Sequence, residues 1–135
     1  MALPPADALD DWIESSSLPG SEGLYFLGTF ERRITFYSQQ VRAFRLVRAL
    51  HERGALKAND AIAVVGAGAA GVTSALALGL LGYDVSLYDP AVEVLQLQSA
   101  SPRLLHPHIY EWPELGSLEK SAGLPFLDWR LATGR

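Results

Sequence analysis

Six residues, Gly66-Ala67-Gly68-Ala69-Ala70-Gly71, separate a short aliphatic run from a long one. Their placement limits what this chain can fold into more than any other feature. Residues 61–65, bounded by the polar turn Lys57, Asn59 and Asp60, read as a short strand of the buried type. Residues 69–81 are almost wholly apolar and long enough for a helix, with Gly82 as its stop. Residues 84–88 then read as a second strand. Strand, glycine turn, helix and strand follow one another with no spare residues, and both faces of such a unit are expected to be covered.

The glycines fit Gly-x-Gly-x-x-Gly in the one context where that pattern carries meaning, between a strand and the helix after it. Gly66 is expected to make a tight turn, Gly68 to let a pyrophosphate approach the backbone, and Gly71 to let helix and strand pack closely. The helix start adds free amide hydrogens and a partial positive charge for phosphate. Asp89 follows Gly71 by 18 residues, at the end of the second strand, where an acid accepts hydrogen bonds from a ribose. A carboxylate there repels a 2′-phosphate, which favours FAD or NAD over NADP. The fold class expected is α/β, a Rossmann-type βαβ dinucleotide-binding unit preceded by an amphipathic helix. The cofactor-binding set is Gly66, Ala67, Gly68, Ala69, Ala70, Gly71 and Asp89.

Residues 61–83 also form 23 consecutive positions without a charge and contain small-xxx-small spacings, so a membrane span is the main competing reading. Against it, the three glycines crowd one end, Asp60 and Asp84 bound the stretch, and Arg53 and Lys57 make a weak basic flank. The nucleotide turn is the better account, and no membrane association is expected.

Gly66, Gly68, Gly71, Ala75, Gly82 and Asp89 together make residues 62–89 resemble the FAD-binding start of the FAD/NAD-linked oxidoreductase superfamily, with Asp89 where many members carry Glu. The likeness widens in Thr35-Phe36-Tyr37-Ser38-Gln39-Gln40-Val41-Arg42-Ala43 and in Arg103-Leu104-Leu105-His106-Pro107-His108-Ile109-Tyr110-Glu111-Trp112-Pro113. Over residues 28–130 the chain is similar to the N-terminal part of bacterial FAD-dependent oxidoreductases. The resemblance implies FAD as cofactor, with NAD as the alternative, and a chain continuing well beyond Arg135. No isoalloxazine site, substrate pocket or catalytic residue is identifiable. Two strands and one helix bury too little surface to stand comfortably alone. The isolated chain is therefore expected to be inactive as an enzyme, and a partner chain or self-association to complete the fold. The alternative is a non-catalytic NAD- or FAD-binding assembly module, a truncated or split subunit that docks on a larger chain.

The remaining sequence divides into residues 1–34, a short helix followed by loop and extended segments, and residues 35–135, the partial dinucleotide-binding domain. Leu9, Trp12 and Ile13 recur at helical spacing in residues 6–14. Residues 24–37 contain runs compatible with extended structure. Val41, Phe44, Val47 and Leu50 make residues 38–53 the clearest amphipathic helix, with Gly54 as its C′ residue. Residues 92–98 are compatible with helix or strand, and Pro102, Pro107, Pro113 and Pro125 make the C-terminal part irregular.

Charge is segregated within a net of −4. Asp7, Asp10, Asp11, Glu14 and Glu22 precede any cation, and residues 31–57 then carry seven cations against Glu31 and Glu52. In an acidic chain the basic helix reads as a solvated face, and nucleic acid is not an expected partner. The absence of cysteine removes dithiol redox chemistry and thiolate metal sites, and with no secretory leader in residues 1–11 it points to a cytoplasmic protein. Arg42 and Arg103 are candidates to approach the pyrophosphate or the flavin through their fork of donors. His106 and His108 share a face if extended, but without a third ligand they suggest hydrogen bonding or a flavin-facing role, not a metal site. Tyr110, Trp112 and Trp129 read as packing anchors.

Overall fold

A computed structural model describes residues 7–29, 34–99, 101–102, 104–105 and 132–133. Helix α1 covers Asp7–Ser16, two residues longer at its C-terminal end than the apolar spacing indicates. A bridge between Ser17 and Tyr25 closes the loop that follows, so the extended segment contributes one isolated pairing and no strand.

Helix α2 covers Phe36–Glu52, starting two residues before the expected position. The cause is a reciprocal cap. The Thr35 hydroxyl accepts from the Ser38 N–H at 2.9 Å, and the Thr35 N–H donates to the Ser38 hydroxyl at 3.0 Å. Two of the first-turn donors that a helix leaves orphaned are thereby satisfied. The helix ends as expected, with Arg53 at the C-cap and Gly54 following at φ +63°.

Strand β1 is Ala61–Val65, helix α3 Ala69–Leu80 and strand β2 Asp84–Tyr88; both strands have the bounds read from the sequence, and the helix is shorter by one residue. The strands pair in parallel, Ala61 opposite Asp84 through Val65 opposite Tyr88. The chain is thus a small mixed α/β domain built on a two-stranded parallel sheet whose strands are joined through α3. A short helix α4, Gln96–Ser99, follows. Strands β3 (Leu104–Leu105) and β4 (Ala132–Thr133) pair antiparallel, in a part of the sequence that reads as irregular. The uncharged stretch of residues 61–83 is divided between β1 and α3, and among the described residues no helix is long and apolar enough to cross a membrane.

Layering follows from which side chains are apolar on each face. Val47 of α2, Val64 of β1 and Ala77 and Leu78 of α3 form the central cluster, with Ile62, Val85 and Leu87 packed against it. Helix α3 lies on the sheet, α2 packs against α3, and α1 packs against α2. The His51 imidazole meets the Tyr83 hydroxyl at 2.8 Å, edge to face, which ties the end of α2 to the start of β2. Contrary to the expectation of cover on both sides, the second face of the sheet is bare among the described residues. Ala61, Ala63, Asp84, Ser86 and Tyr88 are exposed there, and Val65 is 81% exposed. Burial along both strands alternates, as in a sheet covered on one side only.

The free edge of β1 borders a groove of about 690 Å³, apolar in character, walled by the segment around Phe26, by Leu46 and Leu50 of α2 and by Leu78 of α3. The acidic and basic segments of the sequence partly cancel within the fold. Arg53 pairs with Asp10 at 2.7 Å, Arg45 lies 5.1 Å over the Trp12 ring, and Arg48 chelates Glu52 one turn away. The hydrogen bonds from Arg48 hold the Glu52 carboxyl below the usual carboxylate range.

Candidate functional site

The C-terminal ends of β1 and β2 lie side by side because their ladder is parallel, so the loops leaving them meet. The ladder extends one step further through the Gly66 N–H, which donates to the Tyr88 carbonyl at 2.7 Å. Gly66 then turns at φ +102°, a region that side chains rarely adopt. Gly71, in the first turn of α3, crosses so close that a Cβ placed on it would lie 1.8 Å from the Gly66 carbonyl oxygen.

Gly68 differs from both. It is the N-cap of α3, with extended torsions (φ −77°, ψ −175°) that any residue adopts, and a Cβ built there meets nothing within 4 Å. No side chain caps this helix start. The Val72 N–H makes the first helical bond, to the Gly68 carbonyl, and the amides of Ala69, Ala70 and Gly71 find no partner among the described residues. A cleft of about 430 Å³ opens in front of them, lined by all six residues of the glycine turn and by Asp89.

Asp89 reaches across to the turn. Its Oδ2 accepts from the Ala67 N–H at 2.6 Å and its Oδ1 from the Ala91 N–H at 2.7 Å. The Ala67 bond first, and the Ala91 bond next, hold the carboxyl below its ordinary value of 3.8 against a lesser effect of desolvation. A carboxylate has about four lone-pair positions, so two remain for further donors such as a pair of hydroxyls. Ala67 is held from its other side as well: its carbonyl accepts from the Leu95 N–H at 2.8 Å. Leu95 has φ +54°, a strained setting for a branched side chain, and this turn lays α4 along the cleft.

The structure thus brings together Gly66, Ala67, Gly68, Ala69, Ala70, Gly71 and Asp89. Arg42 does not line this cleft; Gln39, three residues earlier on α2, does. Arg103, His106, His108, Tyr110, Trp112 and Trp129 lie outside the described residues. Sequence reasoning passes over Glu93 and Gln98, which also line the cleft, because their place depends on the Leu95 turn and no local pattern announces it. Asp89 and Glu93 are the charged side chains on the cleft wall, and no lysine or arginine of the described residues joins them. Among the described residues, backbone amides are therefore the groups that face a bound anion. No family model, curated protein or solved structure matches the chain.

Proposed function

We propose that this chain binds the adenosine diphosphate half of FAD, with NAD as the alternative, through a Rossmann-type βαβ unit, and forms the cofactor-binding part of an FAD-dependent oxidoreductase. The observation that carries the reading is Gly68. The fold itself accounts for glycine at residue 66 through a positive φ and at residue 71 through a backbone crossing. Neither sterics nor torsion accounts for glycine at residue 68, where serine, threonine, aspartate or asparagine would cap the helix better. A ligand phosphate that must touch the backbone at this point does account for it.

The other groups fit the same ligand. The free amides of Ala69, Ala70 and Gly71 suit a pyrophosphate, and the spare acceptor positions of Asp89 suit a ribose diol. The choice of FAD over NAD rests on the resemblance of residues 28–130. When bound, the flavin supplies the electron transfer chemistry, and this chain's own task is to hold and orient the nucleotide.

Gly68→Ser separates fold from binding. Serine caps α3 and claims its amides, so the variant should be at least as stable as the parent yet bind ADP and FAD about tenfold or more weakly. Calorimetric titration with ADP and quenching of FAD fluorescence read this directly. A parent chain that binds neither nucleotide refutes the proposal.

The bare sheet face and the groove along β1 favour a second reading, in which the chain is a non-catalytic nucleotide-binding module completed by a partner chain or by self-association. Sedimentation of the purified chain discriminates, since a stable, FAD-loaded monomer contradicts any need for a partner.

A further inference from the structure

The cleft beyond Asp89 holds a polar group that the phosphate and ribose contacts leave unused. Gln98 lines the cleft from the C-terminal half of α4. Its backbone is fully engaged, the N–H with the Leu95 carbonyl at 2.9 Å and the carbonyl with the Ser101 N–H at 3.0 Å. Its side chain is not: the carboxamide oxygen is shut off from solvent and has no hydrogen-bond partner. A buried acceptor left unpaired is costly, so it favours whatever brings a donor. The residue as a whole is only partly buried, and the terminal torsion of a glutamine is broad and roughly two-fold, so the carboxamide is free to reorient when a donor enters the cleft. Leu97, 87% exposed on the same wall, offers an apolar surface to a flat ring.

The backbone sets the reach. The Ala67 N–H is bonded to Asp89 and the Ala67 carbonyl to the Leu95 N–H, so the start of the Asp89-to-Gln98 segment and the turn into α4 are both pinned to one residue of the glycine turn. Asp89 and Gln98 line one cleft, so a nucleotide whose ribose sits on Asp89 shares that cleft with the Gln98 side chain.

We propose that Gln98 reads the base of the bound nucleotide and selects adenine, its carboxamide oxygen accepting a hydrogen bond from the exocyclic amino group while the amide nitrogen donates to a ring nitrogen. A glutamine side chain matches adenine's adjacent donor and acceptor in this bidentate way. The inference rests on the nucleotide-binding reading above and adds a specificity determinant to it.

The test compares ADP with purine riboside 5′-diphosphate, which lacks only the amino group, by calorimetric titration of the full chain. The parent should prefer ADP by about tenfold, the usual consequence of leaving one buried acceptor unpaired. Gln98→Leu should bind both ligands equally, at the weaker level, whereas Gln98→Glu keeps an acceptor oxygen and should keep the preference. Equal binding of the two ligands by the parent, or a preference that survives in Gln98→Leu, overturns the inference and leaves the nucleotide site standing. Binding of neither ligand overturns both. The parent comparison decides the matter even if a variant fails to fold.

Discussion

Replacing Gly71 by alanine puts a methyl group 1.8 Å from the Gly66 carbonyl oxygen and 3.0 Å from its carbon. Ordinary contact begins at 3.4 Å, so the helix start and the glycine turn must separate by about 1.6 Å. Both atoms belong to backbone, and the turn is tied to β2 through the Gly66 N–H and to Asp89 through the Ala67 N–H. No side chain can swing aside to relieve the clash. Overpacking of this kind costs about 3 kcal/mol or somewhat more, while alanine's better helix propensity returns about 1 kcal/mol, a net loss of roughly 2 kcal/mol. Gly79, in the last turn of the same helix, is the internal control: it is exposed and a Cβ there meets nothing within 4 Å. Gly79→Ala should gain about 0.5 kcal/mol. Urea denaturation followed by far-ultraviolet circular dichroism should therefore move the midpoint down for Gly71→Ala and slightly up for Gly79→Ala, with similar slopes. A Gly71→Ala midpoint at or above that of the parent would show that the crossing at the glycine turn is not formed as described.

Gly66→Ala, which forces a side chain to φ +102°, should lose about 1–3 kcal/mol in the same assay. Thr35→Ala removes half of the reciprocal cap on α2 and should cost about 1 kcal/mol, seen as a lower midpoint without a change in slope. The Asp89 carboxyl is depressed in the folded chain, so the stability it contributes is present in full above its ordinary value of 3.8 and is lost as pH falls through the lower folded value. Asp89→Asn, in which an amide cannot accept from both Ala67 and Ala91, should flatten that acid limb of the stability profile and weaken ADP binding about tenfold at neutral pH. A variant with an unchanged acid limb would remove the stabilising role given to these two bonds.

Much of the unit around the glycine turn is legible in the sequence because each boundary is marked by a residue with one physical job. Asp60 precedes the first strand and Asp84 opens the second, Gly66 follows the first, and Gly54 and Gly82 stop the helices that precede them. The start of α2 is not legible in the same way. Its cap pairs Thr35 with a serine three residues on, where the recognisable pattern has Glu or Gln, and Phe36 and Tyr37 read equally well as strand. The bare sheet face is hidden for a different reason: Ala61, Ala63 and Val65 have the composition of buried positions, and only the placement of α3 and α2 on the opposite side exposes them. At the site, the spacing locates Asp89 but not its bonds to Ala67 and Ala91. Nor does it locate α4 along the cleft, which follows the Leu95 turn, and nothing about leucine foretells a positive φ.

The electrostatics of the cleft restrict its ligand more narrowly than the glycine pattern does. Two carboxylates, Asp89 and Glu93, line the cleft; of the arginines on α2, Arg45 lies over Trp12, Arg48 pairs with Glu52, and Arg42 is not part of the cleft wall. Attraction for phosphate then comes from the helix start, whose partial charge of about half a unit falls off within the first turn. Such a field acts on a diphosphate that lies directly on the amides of Ala69, Ala70 and Gly71, which find no partner among the described residues. A nucleic-acid backbone, which is drawn by long-range positive charge, meets no lysine or arginine of the described residues on this wall. On the proposed reading, a ligand with one compact diphosphate, an unmodified ribose diol and an uncharged base, as in the adenosine diphosphate moiety, meets both the amides and the carboxylates of the cleft.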